Sequence, residues 1–171
     1  MSSFDTQRRR ILMGVALLPT LLLAACGFRP RHYVGLEHRA LHFRFDRAAA
    51  LEPLVQEMLA GTPATVVTDP KAADATVVLG PLEEAREIIA LSASGTVREY
   101  ALRSVLTVRL VDRAGEERLP PTRLVAERDY SYDDSRIAAR AEEEQVILTD
   151  MRRELLRRAL LLVDRRLVAR P

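Results

Sequence analysis

The stretch TVREYALRSVLTVRLV, residues 96–111, is the most strand-like in the chain and decides its fold. Large apolar side chains recur on one parity along it, with arginines interspersed: Tyr100, Leu102, Leu106, Val108 and Leu110. Alternation with a period of two is typical of a strand that buries one face. Turn-forming residues at 92–95 and 112–115 bound the stretch on both sides. These short connections predict hairpins, and therefore antiparallel neighbours.

Two further strand regions flank this central strand. On its C-terminal side Pro120-Pro121 lack backbone donors, so we expect the returning strand to begin only after them, at residues 124–132. On its N-terminal side the apolar run 74–79 is separated from residues 86–91 by Gly80-Pro81. One long, bent strand and two short strands both fit that pattern.

The N-terminal part of the domain predicts a strand, a short helix and a second strand. Residues 33–45 alternate between apolar and polar side chains near their end, which indicates a strand. Residues 50–60 then show helical spacing, with Pro53 suited to a first turn and Gly61 as a natural stop. The β-branched segment 65–68 predicts a short strand.

The C-terminal part predicts one long amphipathic helix, for which Asp133, Asp134 and Ser135 are suitable caps. Its core stripe at helical period consists of Ile137, Ala141, Leu148, Met151, Leu155, Ala159 and Leu162. The stripe is widened on one side by Leu156, Leu160, Val163 and Leu167. A helix with such a face lies across a sheet. We therefore expect an α+β domain: a mainly antiparallel sheet of about four strands, with one short and one long C-terminal helix packed on one face.

Residues 1–25 have the pattern of a secretory signal. Three arginines at 8–10 precede an apolar run, and the small residues Ala24 and Ala25 mark a cleavage site. The next residue is the only cysteine of the chain, and Leu-Ala-Ala-Cys resembles the lipobox of bacterial lipoproteins. In that class Cys26 is lipidated and becomes the first mature residue. We expect a lipoprotein signal peptide at 1–25, a lipidated tether at 26–32 and a single domain at 33–171.

Two other interpretations of this segment fit it less well. An uncleaved transmembrane anchor needs roughly 20 apolar residues, more than residues 11–25 supply. The other interpretation makes Cys26 a buried or redox-active thiol near an ordinary cleavage site, but the chain has no second cysteine with which it could form a structural disulfide. Several acyl chains, at about 0.8 kcal/mol per buried methylene, hold a protein durably at a membrane surface without crossing it.

Charge and size limit the classes of function. The chain has 26 basic and 24 acidic residues; removing the three arginines and one aspartate of residues 1–25 leaves 23 of each. Nucleic-acid binding requires a surplus or a stripe of positive charge, so the neutral domain predicts no nucleic-acid partner. About 146 residues remain after the signal, which suits one domain with a real core.

No arrangement in the sequence predicts catalysis, a metal or a cofactor. His38 and His42 would share a face of a strand, with His32 nearby, but a zinc site needs further ligands, so we interpret them as solvated. The carboxylates at 142–144 point in different directions on a helix, which favours a solvated first turn over an acid/base pair; the pair at 83–84 is equally unspecific. The nucleophile-elbow, phosphate-loop and zinc-protease motifs do not occur. An interaction protein is the better prediction.

The order of elements, together with several short motifs, resembles the LptE family, the LPS-assembly lipoproteins of the Gram-negative outer membrane. The motifs are Cys26-Gly27-Phe28 after the lipobox, Gly95 followed by Glu99-Tyr100, the tract 125–132, and Glu144-Gln145 in the closing helix. Family membership implies a lipoprotein that plugs the lumen of the large LPS-assembly β-barrel, supports the folding of that barrel, and binds LPS at the last step of transport. Gly27, with no aspartate after Cys26, agrees with sorting to the outer membrane in that class.

The resemblance also suggests candidate contacts to the phosphates of LPS: Arg98, Arg103 and Arg140. The family has a basic residue just before the glycine of the hairpin that precedes Glu-Tyr, and here Ala93 occupies that region. Arg140 is the closest match to a second cation near the start of the closing helix. Two other functions stay open at this point: an auxiliary lipoprotein of an ABC-type phospholipid transporter, and a lipid-anchored periplasmic hydrolase that uses the histidines.

Overall fold

The computed structural model describes residues 36–131 and 137–168, without the side chains of 137–140. They form five strands and two α-helices in an α+β arrangement, which confirms the predicted class. The strands are β1 (Ala40–Phe45), β2 (Thr65–Val66), β3 (Ala75–Leu91), β4 (Val97–Asp112) and β5 (Glu117–Ser131). The helices are α1 (Glu52–Leu59) and α2 (Ile137–Val168), and two short 3₁₀ turns lie at Ala49–Leu51 and Pro70–Ala72.

All five strands belong to one sheet, in the order β2-β1-β3-β4-β5. The long strands β3, β4 and β5 are antiparallel neighbours, as their short connections predict. β1 runs parallel to β2 and to β3, because the chain crosses over through α1 before β2 and returns to the other side of β1 with β3. The sheet is therefore mainly antiparallel, with a parallel end formed by its shortest strands.

The apolar run 74–79 and residues 86–91 belong to one strand, β3, which continues through a cis Gly80-Pro81 peptide bond. The register with β4 shifts between Leu79 and Leu82, so the strand is irregular there. Gly80 has a φ of 121°, and a Cβ at this position would lie 1.8 Å from the carbonyl oxygen of Asp46. Only glycine fits this backbone position.

Both predicted turns are confirmed. After β3, the backbone N–H of Ser92 donates to the carbonyl of Thr96 at 2.7 Å, which closes the first hairpin. After β4, one carboxylate oxygen of Asp112 accepts hydrogen bonds from the N–H groups of Ala114 and Glu116, each at 2.9 Å. Aspartate is common at the start of such turns because its side chain satisfies backbone donors two residues further on.

The core lies between one face of the sheet and the two helices. The even-numbered residues of β4 from Leu102 to Leu110 are buried on that face, which confirms the parity read from the sequence. Most of the predicted helical stripe is also confirmed, since these α2 residues are buried: Leu148, Met151, Leu155, Leu156, Ala159, Leu160, Val163 and Leu167. From α1, Leu54, Val55 and Leu59 join the same apolar cluster.

The stripe was placed wrongly at its start, because Ala141 is exposed. At that end α2 lies near the ends of the long strands, where the contacts are polar and aromatic instead of aliphatic. Leu162 is only partly buried and packs against the core from the side. The predicted caps, Asp133, Asp134 and Ser135, and the side chain of Ile137 lie outside the described residues.

The returning strand begins earlier than predicted, at Glu117 instead of residue 124. Pro120 and Pro121 lie within β5, which is the last strand of the sheet. The register shifts between Leu119 and Thr122, so the prolines fall at an irregularity. Edge strands and bulges are the places where a sheet tolerates proline, because no neighbour requires its missing N–H. Position in the sheet, which the sequence alone does not give, overrides the expected delay.

The prediction that His38 and His42 share a strand face is also wrong. The first strand starts at Ala40, and His38 lies in a turn with a φ of 59°. His42 is on β1, and its Nδ1 lies 3.2 Å from the carbonyl oxygen of Val67. His32 lies outside the described residues. In the described part of the chain, no helix is both long enough and apolar enough to cross a membrane.

The role of the helical stripe can be tested at Leu155, which is completely buried. Leu155→Asp places an unpaired carboxylate in the core, so we expect the free energy of unfolding to fall by at least about 3 kcal/mol. Denaturant unfolding followed by circular dichroism measures the change. Arg157→Asp introduces the same side chain on the exposed face of α2 and should change stability by less than about 1 kcal/mol. Equal stability of the two variants would show that the buried face of α2 is misassigned.

Candidate functional site

The hairpin that joins β3 to β4 extends beyond the rest of the sheet. β1 pairs with β3 only as far as Leu79, and β5 pairs with β4 only as far as Glu99. The hairpin tip, which we define as residues 88–99, therefore has no third strand beside most of its length. Three of its apolar side chains are strongly exposed: Ile88 at 56%, Ile89 at 47% and Leu91 at 59%. Three exposed apolar side chains within four residues make the hairpin tip a candidate interaction surface.

Four side chains hold the base of this hairpin to β5 and α2. The hydroxyl of Tyr130 donates to Oε2 of Glu144 at 2.6 Å, and Nη1 of Arg86 donates to the same oxygen at 2.9 Å. The rings of Tyr100 and Tyr130 stack with centroids 5.7 Å apart. The guanidinium of Arg86 also lies over the ring of Tyr100, 4.6 Å from its centroid. We call these four residues the tyrosine cluster.

The sheet register explains why the cluster forms. Tyr100 and Tyr130 are direct partners on β4 and β5, so their side chains emerge on the same face and their rings meet. Arg86 is paired with Leu102, two residues from Tyr100, and so lies on the same face. Glu144 comes from the beginning of α2, which crosses this face. The cluster therefore joins four separate elements, β3, β4, β5 and α2, at the point where the aliphatic core ends.

Electrostatics within the cluster favour a neutral tyrosine and a charged arginine. Burial, together with the hydrogen bond to Glu144, raises the pKa of Tyr130 to about 12. The hydrogen bonds that Arg86 makes to Glu144 and Tyr130 raise the pKa of its guanidinium above the usual value. Tyr130 consequently remains a hydrogen-bond donor, and Arg86 a cation, throughout the neutral range.

A second contact fixes α2 to β3 next to the cluster. Arg152 donates from Nε and Nη2 to the two carboxylate oxygens of Glu84, at 2.9 and 2.6 Å. This two-point geometry suits a guanidinium and a carboxylate and raises the pKa of Arg152. Glu83 instead pairs with Arg123 at 3.7 Å. Neighbouring residues of a strand point to opposite faces, so the two carboxylates do not form a catalytic pair.

The structure separates the arginines that the sequence suggested as LPS contacts. Arg98 is exposed at the hairpin tip, at a register irregularity between Val97 and Glu99, and makes no hydrogen bond or ion pair with a described residue. Arg103 lies five positions further along β4, roughly 17 Å away at about 3.3 Å per residue, and pairs with Glu127 at 3.3 Å. The side chain of Arg140 lies outside the described residues, as does Cys26.

Sequence reasoning missed the role of Glu144. We expected residues 142–144 to form a solvated first turn, and Glu142 and Glu143 are exposed, but Glu144 is half-buried in the tyrosine cluster. The available signal was the presence of Tyr100 and Tyr130 at inward positions of their strands, because a buried hydroxyl needs a hydrogen-bond partner. In the described ranges, no group of three or more metal-ligating side chains comes together. The arrangement leaves an exposed apolar tip, at which Arg98 has no partner among the described residues.

The raised pKa of Tyr130 predicts a specific loss of stability in alkali. Below pH 10 the tyrosine is protonated in both states and the cluster contributes fully. Between about pH 10 and about pH 12 the unfolded chain loses this proton more readily than the folded one, so the free energy of unfolding falls as pH rises. Tyr130→Phe should remove this part of the decline. Denaturant unfolding at several pH values measures it.

Absorbance of ionised tyrosine provides an independent reading of the same residue. We expect one tyrosine of the folded protein to ionise late, near pH 12, and this late step to be missing in Tyr130→Phe. A variant that loses stability in alkali as steeply as the parent, and keeps the late step, would contradict the cluster.

Comparison with known proteins identifies the family. The chain matches the family model LptE, described as lipopolysaccharide-assembly, over residues 39–161. No curated protein matches it. One similar solved structure is that of lipoprotein B from Nitrosomonas europaea, with a TM-score of 0.68 and 23% identity. The match covers 81% of this chain and 90% of that one. Rare lipoprotein B from Shewanella oneidensis has a TM-score of 0.62 and 23% identity, and the match covers 72% of this chain and 92% of that one.

A minor lipoprotein from Acinetobacter baumannii is similar as well, with a TM-score of 0.58, 17% identity, and coverage of 74% of this chain and 93% of that one. At these identities the three structures establish the shared fold alone. The family model goes further, because its match spans every strand and most of the long helix. Since that match covers well over half of the sequence, the chain belongs to the LptE family of lipopolysaccharide-assembly proteins.

Proposed function

We propose that this protein is an outer-membrane lipoprotein that plugs the LPS-transport β-barrel, helps that barrel to assemble, and takes part in inserting LPS into the outer membrane. It is anchored through lipid on Cys26, faces the periplasm or the barrel lumen, and is not an enzyme. The family match over 39–161 supports the role in LPS assembly. The observation that carries the partnership with a barrel is the apolar hairpin tip.

The hairpin tip is suited to contact with a partner protein. Ile88, Ile89 and Leu91 are roughly half exposed, at the end of the sheet that extends furthest from the core. The tyrosine cluster fixes the base of the hairpin to β5 and α2, so the tip extends from an ordered hairpin and not from a loose loop. A preorganised apolar tip loses little conformational freedom on binding, which favours affinity.

The rest of the sheet surface is charged and fits a water-filled lumen. Three arginine–glutamate pairs lie on the strands and are largely solvent-exposed: Arg103–Glu127, Arg109–Glu117 and Arg123–Glu83. Exposed pairs of this kind contribute little to stability. The interior of a transmembrane barrel of this type is polar, so a plug requires such a surface.

Of the two candidates whose side chains the structure describes, Arg98 is the better placed for direct contact with LPS. It lies at the hairpin tip without an intramolecular partner among the described residues, whereas Arg103 already pairs with Glu127. A guanidinium without a partner is available to donate two parallel hydrogen bonds to a phosphate. We therefore assign the contact to Arg98 first.

A pull-down from detergent-solubilised envelopes tests both the binding of the barrel and the binding of LPS. We expect the LPS-assembly barrel to co-purify with the parent protein and to be lost, by on the order of tenfold or more, when Ile88, Ile89 and Leu91 are replaced by serine, because apolar interface area is removed. Val168→Ser is the matched control, since Val168 is exposed to a similar extent on α2. Arg98→Gln should lower the LPS recovered while the barrel remains.

Three results would contradict the proposal. Recovery of inner-membrane transporter subunits without a barrel would favour an auxiliary role in phospholipid transport. Equal barrel recovery with the triple serine variant and with the parent would remove the hairpin tip from the interface. Normal barrel assembly and surface LPS in cells depleted of the protein would exclude the function itself.

The lipid anchor is tested separately at Cys26. Cys26→Ser removes the sulfur that carries lipid, so the folded domain should leave the membrane fraction and appear in the soluble periplasmic fraction, because acyl chains provide the membrane affinity. Fractionation and immunoblotting measure this, with mass spectrometry of the native N-terminus as the control. Membrane retention of the variant, or an unmodified terminus on the native protein, would contradict lipid anchoring.

A further inference from the structure

We propose that the face of the sheet opposite the helices carries a binding site for a phosphate group, in which Arg44 and Arg109 grip the phosphate from both sides. A pocket of about 560 Å³ lies on this face, between β1, β3 and β4. It is separate from the hairpin tip and from the tyrosine cluster. It also does not depend on the proposed barrel partner, because the site belongs to this chain alone.

The alternation of three strands explains how the pocket forms. On β1 and β4 the side chains of Leu41, Phe43, Val108 and Leu110 face the core. Neighbouring residues of a strand point to opposite faces, so Arg44 and Arg109 face the other way. The register places Arg44 beside Val78, and Val78 beside Arg109. Arg44 on β1 and Arg109 on β4 therefore lie on either side of Val78, which is on β3 between them. Neighbouring strands lie about 4.8 Å apart, so the two backbones are separated by roughly 10 Å, and both long side chains can reach a group above Val78.

The two arginines have unused capacity for hydrogen bonds. Arg44 is exposed and makes no hydrogen bond or ion pair with a residue in the described part of the chain. Arg109 has one weak partner, with its Nη1 3.7 Å from Oε1 of Glu117, which also lines the pocket. That separation is longer than a direct hydrogen bond. The pocket lining thus contains two guanidinium groups and one carboxylate, which leaves a net positive charge there.

The second row of the pocket adds a polar edge and an apolar floor. His42, Thr76 and Val111 are direct neighbours in the register. They lie two residues along their strands from Arg44, Val78 and Arg109, on the same face of the sheet. The carbonyl of Val67 lies 3.2 Å from Nδ1 of His42 and can only accept a hydrogen bond, so Nδ1 donates it, and Nε2 makes no hydrogen bond to a described residue. Val78 and Val111 supply apolar surface beneath the charged groups.

This chemistry defines the ligand class. Guanidinium groups donate parallel hydrogen bonds to phosphate oxygens, and a phosphate has enough oxygens to accept from two such groups at once, whereas a carboxylate has only two oxygens. The pocket volume lies in the range of sites for small organic ligands, so it holds more than a bare ion. We assign it to a phosphate carried on a larger group, such as a sugar phosphate or the headgroup of a phospholipid.

Isothermal titration calorimetry of the full-length protein in non-ionic detergent tests the site. The probes are inorganic phosphate, glucose 1-phosphate and dihexanoyl phosphatidic acid, titrated at constant ionic strength. Glucose and dihexanoylglycerol serve as probes without phosphate. We expect the two phosphate esters to bind and the phosphate-free compounds not to bind. Tighter binding of the sugar phosphate assigns the natural ligand to a soluble or carbohydrate source, and tighter binding of phosphatidic acid assigns it to a lipid headgroup.

Variants identify the pocket as the place of binding. Arg44→Gln and Arg109→Gln should each weaken binding of the preferred ester on the order of tenfold or more, because each removes a charge-assisted contact. Arg44→Lys retains the charge but loses the two-point geometry, so its affinity for the ester should lie between that of the parent protein and that of Arg44→Gln. Arg123→Gln is the matched control, because Arg123 also lies 3.7 Å from a glutamate, on the strand beyond β4; its affinity should stay within about twofold of the parent.

Circular dichroism melting confirms that each variant is folded, and Arg44 is suited to this test because it has no partner in the described residues to lose. The proposal is overturned if none of the phosphate compounds binds, if Arg44→Gln leaves the affinity unchanged, or if Arg123→Gln weakens binding as much as Arg44→Gln. Because barrel recovery is measured separately, failure here leaves the proposed function intact.

Discussion

The packing of one helical face against one face of the sheet is the interaction on which the rest of the structure depends. α2 buries a stripe that includes Leu155, Leu156 and Leu160, each completely inaccessible, against the inward residues of β4 such as Leu106 and Leu110. Both helices lie in this single apolar cluster. A two-layer arrangement of this kind covers only one side of a sheet. The other side is therefore left mainly to charged and polar side chains, and Arg44 of β1 and Arg109 of β4 line one pocket there.

The unequal lengths of the strands determine where the exposed hairpin tip lies. β3 and β4 have 17 and 16 residues, whereas β1 has 6, so the long hairpin continues after the aliphatic core has ended. A two-stranded ribbon is only marginally stable in water without further contacts. The tyrosine cluster supplies those contacts at the base of the hairpin. Three of the short motifs that suggested the family, around Tyr100, Tyr130 and Glu144, meet in this cluster, so the resemblance rests on side chains that hold one piece of the structure together.

The features that follow from local patterns could be predicted from the sequence, and those that depend on position in the sheet could not. The parity of β4, both hairpin turns and most of the α2 stripe were correct, because alternation, turn-forming residues and helical period are local properties. The strand containing Pro120 was placed too late, since its tolerance of proline depends on being at the edge. Glu144 was taken for a solvated residue, because its partners Arg86 and Tyr130 are 58 and 14 positions away. The pocket on the open face also requires the register of three strands, two of which pair in parallel.

The distribution of paired and unpaired arginines provides a physical basis for the two anion contacts that we propose for a nearly neutral domain. Most strand arginines lie beside a glutamate, and such exposed pairs add little stability. The two opposite charges of each pair cancel at distances beyond a few ångströms. Net charge then provides no long-range attraction for polyanions such as nucleic acids. Arg44 and Arg98 differ because they have no partner among the described residues, and each lies next to apolar surface, at Val78 in one case and at the hairpin tip in the other. An unpaired guanidinium beside apolar surface matches a ligand with a phosphate on an apolar or carbohydrate body. Discrimination at both places is therefore set by local geometry instead of total charge.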